Sequence, residues 1–152
     1  MTAPTVRLKE TSNGYTVAVG EYTTDIRLGE EIGGIIPLRL AVSRRGVNLA
    51  DTVSSIKDGG KAAVFDSVWP REGISKTEGL LALGALVYSI EEVLRRRGVE
   101  RVTGRMNPAF ARFMGQMGYS DVASSGGVVV IEKNIQTQES RLPKVWEIKK
   151  RA

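Results

Sequence analysis

Hydrophobic and polar positions alternate from the start of the chain. Val6-Arg7-Leu8-Lys9 and Tyr15 to Val19 each repeat with period two, the pattern of half-buried strands. Asn13-Gly14 lies between them and suits a turn with positive φ, so this region is expected to be a β-hairpin. Asp25 to Leu28 continues as a third short strand, and Glu30 to Ile36 is glycine-rich without a clear period. Two patterns overlap next. Pro37 fits the first turn of a helix with Leu38, Ala41 and Val42 on its apolar side, yet Leu38-Arg39-Leu40-Ala41-Val42 also alternates as a strand.

Further along, Asn48 suits an N-cap, Leu49, Val53 and Ile56 fall at i, i+4 and i+7, and Gly59-Gly60 supplies a stop, which predicts a helix. Ala62 to Trp69 reads as a largely buried strand closed by Pro70. The strongest helical pattern covers residues 75–97. Ser75 caps it, Glu78 stands where a capping box needs it, and Leu80, Leu83, Val87, Ile90 and Leu94 form a stripe widened by Leu86 and Val93. Arg95-Arg96-Arg97 complements the negative end of the helix dipole and Gly98 ends it. A short strand over 101–106 leads to a second helix capped by Asn107, with Pro108 in its first turn and Gly118 after its last. Val122-Ala123 and Val128 to Ile131 flank Ser124-Ser125-Gly126-Gly127 as a closing hairpin. A strand–helix–strand crossover places its strands parallel in one sheet, so the fold class is α+β with a mixed sheet and flanking helices.

Composition narrows the chemistry. The 152 residues contain neither cysteine nor histidine, which removes thiol nucleophiles, imidazole bases, disulfides and the common zinc sites. No calcium-loop spacing of carboxylates occurs, so no metal is expected. The start of the chain has no signal-peptide pattern and no apolar run is long enough for a membrane span, so a cytoplasmic location is expected. Net charge is +5, and six basic residues less two acidic ones place +4 of it in residues 133–152. A domain over residues 1–132 followed by a basic C-terminal tail over 133–152 is therefore expected. The tail suggests a solvated end, a nucleic-acid arm through Lys144, Lys149, Lys150 and Arg151, or docking onto a protein partner through Val145, Trp146 and Ile148.

Val68-Trp69-Pro70, the loop Lys76-Thr77-Glu78-Gly79-Leu80-Leu81, and the segment Asn107 to Tyr119 occur in an order that resembles the GNAT (acyl-CoA N-acyltransferase) family over about residues 62–131. The resemblance implies a GNAT-like architecture and acetyl-CoA as cofactor. It assigns pyrophosphate contacts to Lys76, Thr77, Glu78 and Gly79, and a pantetheine contact to Asn107. In physical terms, the first turn of a helix offers free N–H donors and a positive dipole end. The family's base is often a carboxylate on the strand before the loop, for which Asp66 is the candidate. The family's tyrosine acid falls at Met114, which has no proton to give. Leu81 stands where the loop has a small residue, and Glu78 brings negative charge to the anion end of the helix. Degenerate domains of this kind occur among phage virion proteins. The resemblance therefore implies a catalytically degenerate binding, structural or assembly component, with an acetyl-CoA-dependent N-acetyltransferase and a nucleic-acid-binding module as alternatives.

Overall fold

The computed structural model describes residues 4–65 and 69–147, without the side chain of Trp69. In chain order the strands are β1 (Val6–Thr11), β2 (Gly14–Val19), β3 (Tyr22–Leu28), β4 (Ile36–Arg44), β5 (Val47–Lys57), β6 (Ala62–Phe65) and β7 (Trp69–Pro70). Helix α1 (Lys76–Arg96), β8 (Arg101–Met106), helix α2 (Pro108–Gly115), β9 (Ser120–Ser125) and β10 (Val128–Asn134) follow. All ten strands among the described residues join one sheet in the order β1-β2-β3-β4-β5-β6-β8-β10-β9, with β7 paired to β5. Every pairing is antiparallel except β6 with β8. That exception follows from the expected crossover through α1.

The second half of the chain matches the sequence pattern closely. Helix α1 starts after an extended Ser75 whose Oγ accepts from the Glu78 N–H at 3.1 Å, and Gly98 follows its end with φ of +82°. Leu86, Ile90 and Leu94 are fully buried, each worth roughly 1.5–3 kcal/mol of transfer free energy. Burial also reaches Leu81, Ala82, Ala85 and Ser89, beyond a single stripe. The wider coverage has a cause: α1 meets the sheet on one side, and the segment after β10 lies against another.

The first half departs from expectation. Residues 48–57 are not a helix; they belong to β5, and 37–42 belongs to strand β4, with Ala41 opposite Asp51 and Leu40 opposite Thr52. The buried positions of β5 include Ala50, Thr52, Ser54 and Ile56, a period of two whose middle members are polar. Val53, read as part of a helical stripe, is 49% exposed. The third strand is longer than predicted, beginning at Tyr22. At the first hairpin Thr11 pairs with Gly14, so the turn is Ser12-Asn13, and Gly14 is not among the positive-φ residues. Gly14 is needed for a different reason: a Cβ there would stand 1.9 Å from the Ile26 carbonyl oxygen. At the last hairpin the turn is Gly126-Gly127, with φ of +58° and +78°.

The segment read as a tail from residue 133 is not simply solvated. Lys133 and Ile135 are buried at 1% and 0% exposure, and Trp146 at 6%. Trp146 donates its indole N–H to the Leu81 carbonyl at 3.1 Å and meets Tyr22 edge-on at 5.3 Å. Pro143 and Trp146 lie so close to α1 that a Cβ at Gly84 would be 2.6 Å from Pro143 Cδ. Val145 and Trp146, expected to dock onto a partner, pack against this chain's own core, while Ile148 lies outside the described residues. No described helix is long and apolar enough to cross a membrane.

Candidate functional site

The parallel strands part where the crossover begins. β6 and β8 are paired from Ala62–Arg101 to Phe65–Gly104. Beyond that point Trp69 and Pro70 stay with Asp51 and Ala50 of β5, whereas Arg105 and Met106 stay with Val130 and Val129 of β10. Against β5 the register also slips by one, because Phe65 faces Ser54 and Trp69 faces Asp51. The result is a splayed opening between β7 and the end of β8. The first turn of α1 closes against its β7 side. Gly79 packs on Pro70, where an added Cβ would come within 3.2 Å of the proline ring.

The residues of that first turn are differently employed. Ser75 satisfies the Glu78 N–H and its carbonyl accepts from the Gly79 N–H at 2.9 Å. Glu78 does not complete a capping box. Its carboxylate accepts from the Tyr22 hydroxyl at 2.8 Å and from Arg44 Nη1 at 3.2 Å, which ties the helix to β3 and β4. Arg44 also pairs with Glu21 at 2.9 Å. Burial, and then the Glu78 carboxylate, push the Tyr22 phenol above its ordinary value. Lys76 and Thr77 are exposed.

The second segment forms the other flank. Asn107 is extended and its Oδ1 accepts from the Phe110 N–H at 2.8 Å, so the predicted cap is present. Met114 is 1% exposed and Met117 0%. Gly118 takes φ of +99° and the Tyr119 N–H returns to the Met114 carbonyl, ending α2 as expected. Tyr119 does not face the opening. It donates to Glu91 Oε2 at 2.9 Å, and burial, followed by the Glu91 charge, holds its phenol well above the ordinary range.

Glu91 anchors a buried polar cluster that the sequence did not reveal. Its Oε1 accepts from Lys133 Nζ at 2.7 Å and from Ser140 Oγ at 2.8 Å, and Lys133 also donates to the Met117 carbonyl at 2.8 Å. Arg95 reaches the carbonyls of Ile135 and Gln138 at 2.7 and 3.1 Å. Lys133 therefore belongs to the core and adds no free charge to a tail. Of the basic residues expected to reach nucleic acid, Lys144 is exposed, while Lys149, Lys150 and Arg151 lie outside the described residues. So does Asp66, the candidate base. Among the described residues no group of acidic side chains is arranged to hold a metal.

Comparison with known proteins supports the architecture. No protein-family model matches the sequence, and no curated protein is similar to it in sequence. Solved acetyltransferases are similar in fold. Aminoglycoside 6'-acetyltransferase type Ii is 15% identical with a TM-score of 0.55, over 65% of this chain and 69% of that one. Nourseothricin acetyltransferase is 12% identical with a TM-score of 0.54, over 88% of this chain and 85% of the other. An acetyltransferase structure from Salmonella typhimurium, solved with its cofactor acetyl-CoA, is 15% identical with a TM-score of 0.50, over 67% and 66%. The chain has a GNAT-like α+β fold.

That neighbour makes acetyl-CoA the group against which to weigh the predicted contacts. Three of them are already engaged within the chain. The Glu78 carboxylate is neighbour to the anion end of the helix, Gly79 is filled against Pro70, and the Asn107 side-chain oxygen is committed to its own helix. Lys76 and Thr77 have no such commitment among the described residues.

Proposed function

We propose that this chain is a catalytically degenerate GNAT-like domain that works as a binding or assembly component. Acyl transfer from a thioester to an amine needs one group to take the ammonium proton and another to give a proton to the leaving thiolate. The observation that carries the proposal is the placement of proton-bearing side chains around the opening. Met114 offers a thioether where the resemblance puts the acid. The two buried phenols, Tyr119 at the end of the family motif and Tyr22 against the α1 turn, already donate to Glu91 and Glu78. Glu78 is itself paired with Arg44 at 3.2 Å, which suits a fixed joint. A virion-associated role is one form of this proposal, in which the partner is another structural protein.

A second reading is acetyl-CoA-dependent N-acetyl transfer. The splay between β7 and β8, with α1 starting beside it, favours this reading, as does the likeness to acetyltransferases. Lys76 and Thr77 would then meet the pyrophosphate, and Asp66 would be the base.

One assay separates the two. The protein contains no cysteine, so thiol released from acetyl-CoA is measured without a protein background. A panel of primary amines at millimolar concentration is expected to give no release above the protein-free rate. Saturable, amine-dependent release with a mass-detected acetylated product would reinstate acyl transfer.

A further inference from the structure

The sheet face away from α1 carries an arrangement that costs stability unless something binds it. On β3, β4 and β5 this face presents Asp25, Arg27, Arg39, Asp51 and Val53, all exposed. Arg27 and Arg39 stand directly opposite each other in the β3–β4 register. Like charges in that position repel across about 5 Å between Cβ atoms. Neither guanidinium has a hydrogen-bond or ion-pair partner among the described residues. The nearby acids are engaged: Asp51 accepts from Asn48 at 3.2 Å and from Arg71 at 3.1 Å, and Asp25 Oδ1 accepts from Thr16 at 3.1 Å. Oδ2 of Asp25 has no such bond among the described residues.

These side chains line an open surface hollow of about 460 Å³, a volume within the range of small-molecule sites. Ala41, between Asp25 and Asp51 in register, contributes to its lining and leaves the hollow, and the two arginines line one end. Asp25 and Arg27 are two residues apart on one strand, so the acidic and basic rows are separated by roughly 7 Å. The hollow is thus itself dipolar. Arginine forks fit carboxylate or phosphate oxygens with paired N–H donors, and an oxyanion between them turns mutual repulsion into attraction.

We infer that this cavity binds a small dipolar ligand, its carboxylate or phosphate held by Arg27 and Arg39 and its ammonium by Asp25. The inference is independent of whether the opening beside α1 supports any chemistry.

The probe is 4-aminobutanoate, whose two charges span such a distance, followed by amide chemical shifts in the ¹⁵N-labelled full chain. Saturable shifts at Asp25, Arg27, Arg39 and Ala41 are expected. Butanoate and butylamine each lose one charge-assisted contact and should bind roughly tenfold more weakly or worse. The double variant Arg27→Gln, Arg39→Gln should lose the shifts while melting at the same temperature as the parent or higher, because repulsion has been removed. Three results would overturn the inference: no saturable shift at tens of millimolar, equal binding of butanoate, or a double variant that melts clearly lower. If phosphate replaces the carboxylate as anion, 2-aminoethyl phosphate should compete at the same amides; failure to compete while 4-aminobutanoate binds would restrict the site to carboxylates.

Discussion

Replacing Lys133 by methionine tests the buried cluster that joins α1 to the chain after β10. Lys133 and Glu91 are each 1% exposed, and their charged atoms are 2.7 Å apart. The substitution shortens the unbranched side chain by one atom and removes the ammonium. It leaves a buried carboxylate supported by Tyr119 at 2.9 Å, Ser140 at 2.8 Å and Arg95 at 3.9 Å, and it leaves the Met117 carbonyl without that donor. Removing one partner of a buried pair costs about 3–5 kcal/mol. The two remaining donors and the nearby Arg95 charge favour the lower end, about 3 kcal/mol, a large share of the ~5–15 kcal/mol stability of an ordinary domain. With a urea dependence near 2 kcal/mol/M, the midpoint should fall by roughly 1.5 M. Urea unfolding at neutral pH measures this directly. The double variant Lys133→Met, Glu91→Gln removes the stranded charge and should recover at least half of the loss. A loss below about 1 kcal/mol in the single variant would refute the reasoning, because the pair would then be solvated rather than buried.

Two further outcomes follow from the same packing. Gly84→Ala forces a methyl within 2.6 Å of Pro143, so it should cost about 1–3 kcal/mol and speed hydrogen exchange over residues 135–147; unchanged exchange there would show that the segment is not held by α1. Tyr22 and Tyr119 have raised folded pKa values, so below the unfolded value of ~10 both states are protonated and stability is fully present. As pH rises through ~10 the unfolded state ionises first, and stability should decline. The phenolate absorbance of these two residues should appear together with unfolding, whereas their titration in the folded protein near the ordinary value would contradict the burial.

Legibility in the sequence followed the range of the interactions. Helix α1, helix α2 and the closing hairpin were readable because caps, periodicity and stop glycines act within a few residues. The crossover then fixed one parallel pair, β6 with β8. Strand β5 was misread because Thr52 and Ser54 occupy buried positions, which hid the period of two, while Leu49, Val53 and Ile56 imitated a helical stripe. The Asn13-Gly14 signal pointed to the right hairpin for the wrong reason, since the glycine answers to Ile26 across the sheet. At the site, the Ser75 and Asn107 caps were visible in the sequence. The partners of Glu78 were not, because Tyr22 and Arg44 precede it by 56 and 34 residues. Likewise nothing local distinguishes Lys133, 42 residues from Glu91, from the charges that follow it.

The proposed function depends on the first turn of α1 serving structure rather than a cofactor pyrophosphate. An acetyl-CoA titration followed through backbone amides measures it most directly. The account predicts no saturable change at Lys76, Thr77 and Gly79 up to millimolar cofactor. Saturable shifts at those three amides, accompanied by changes at Asn107, would contradict it.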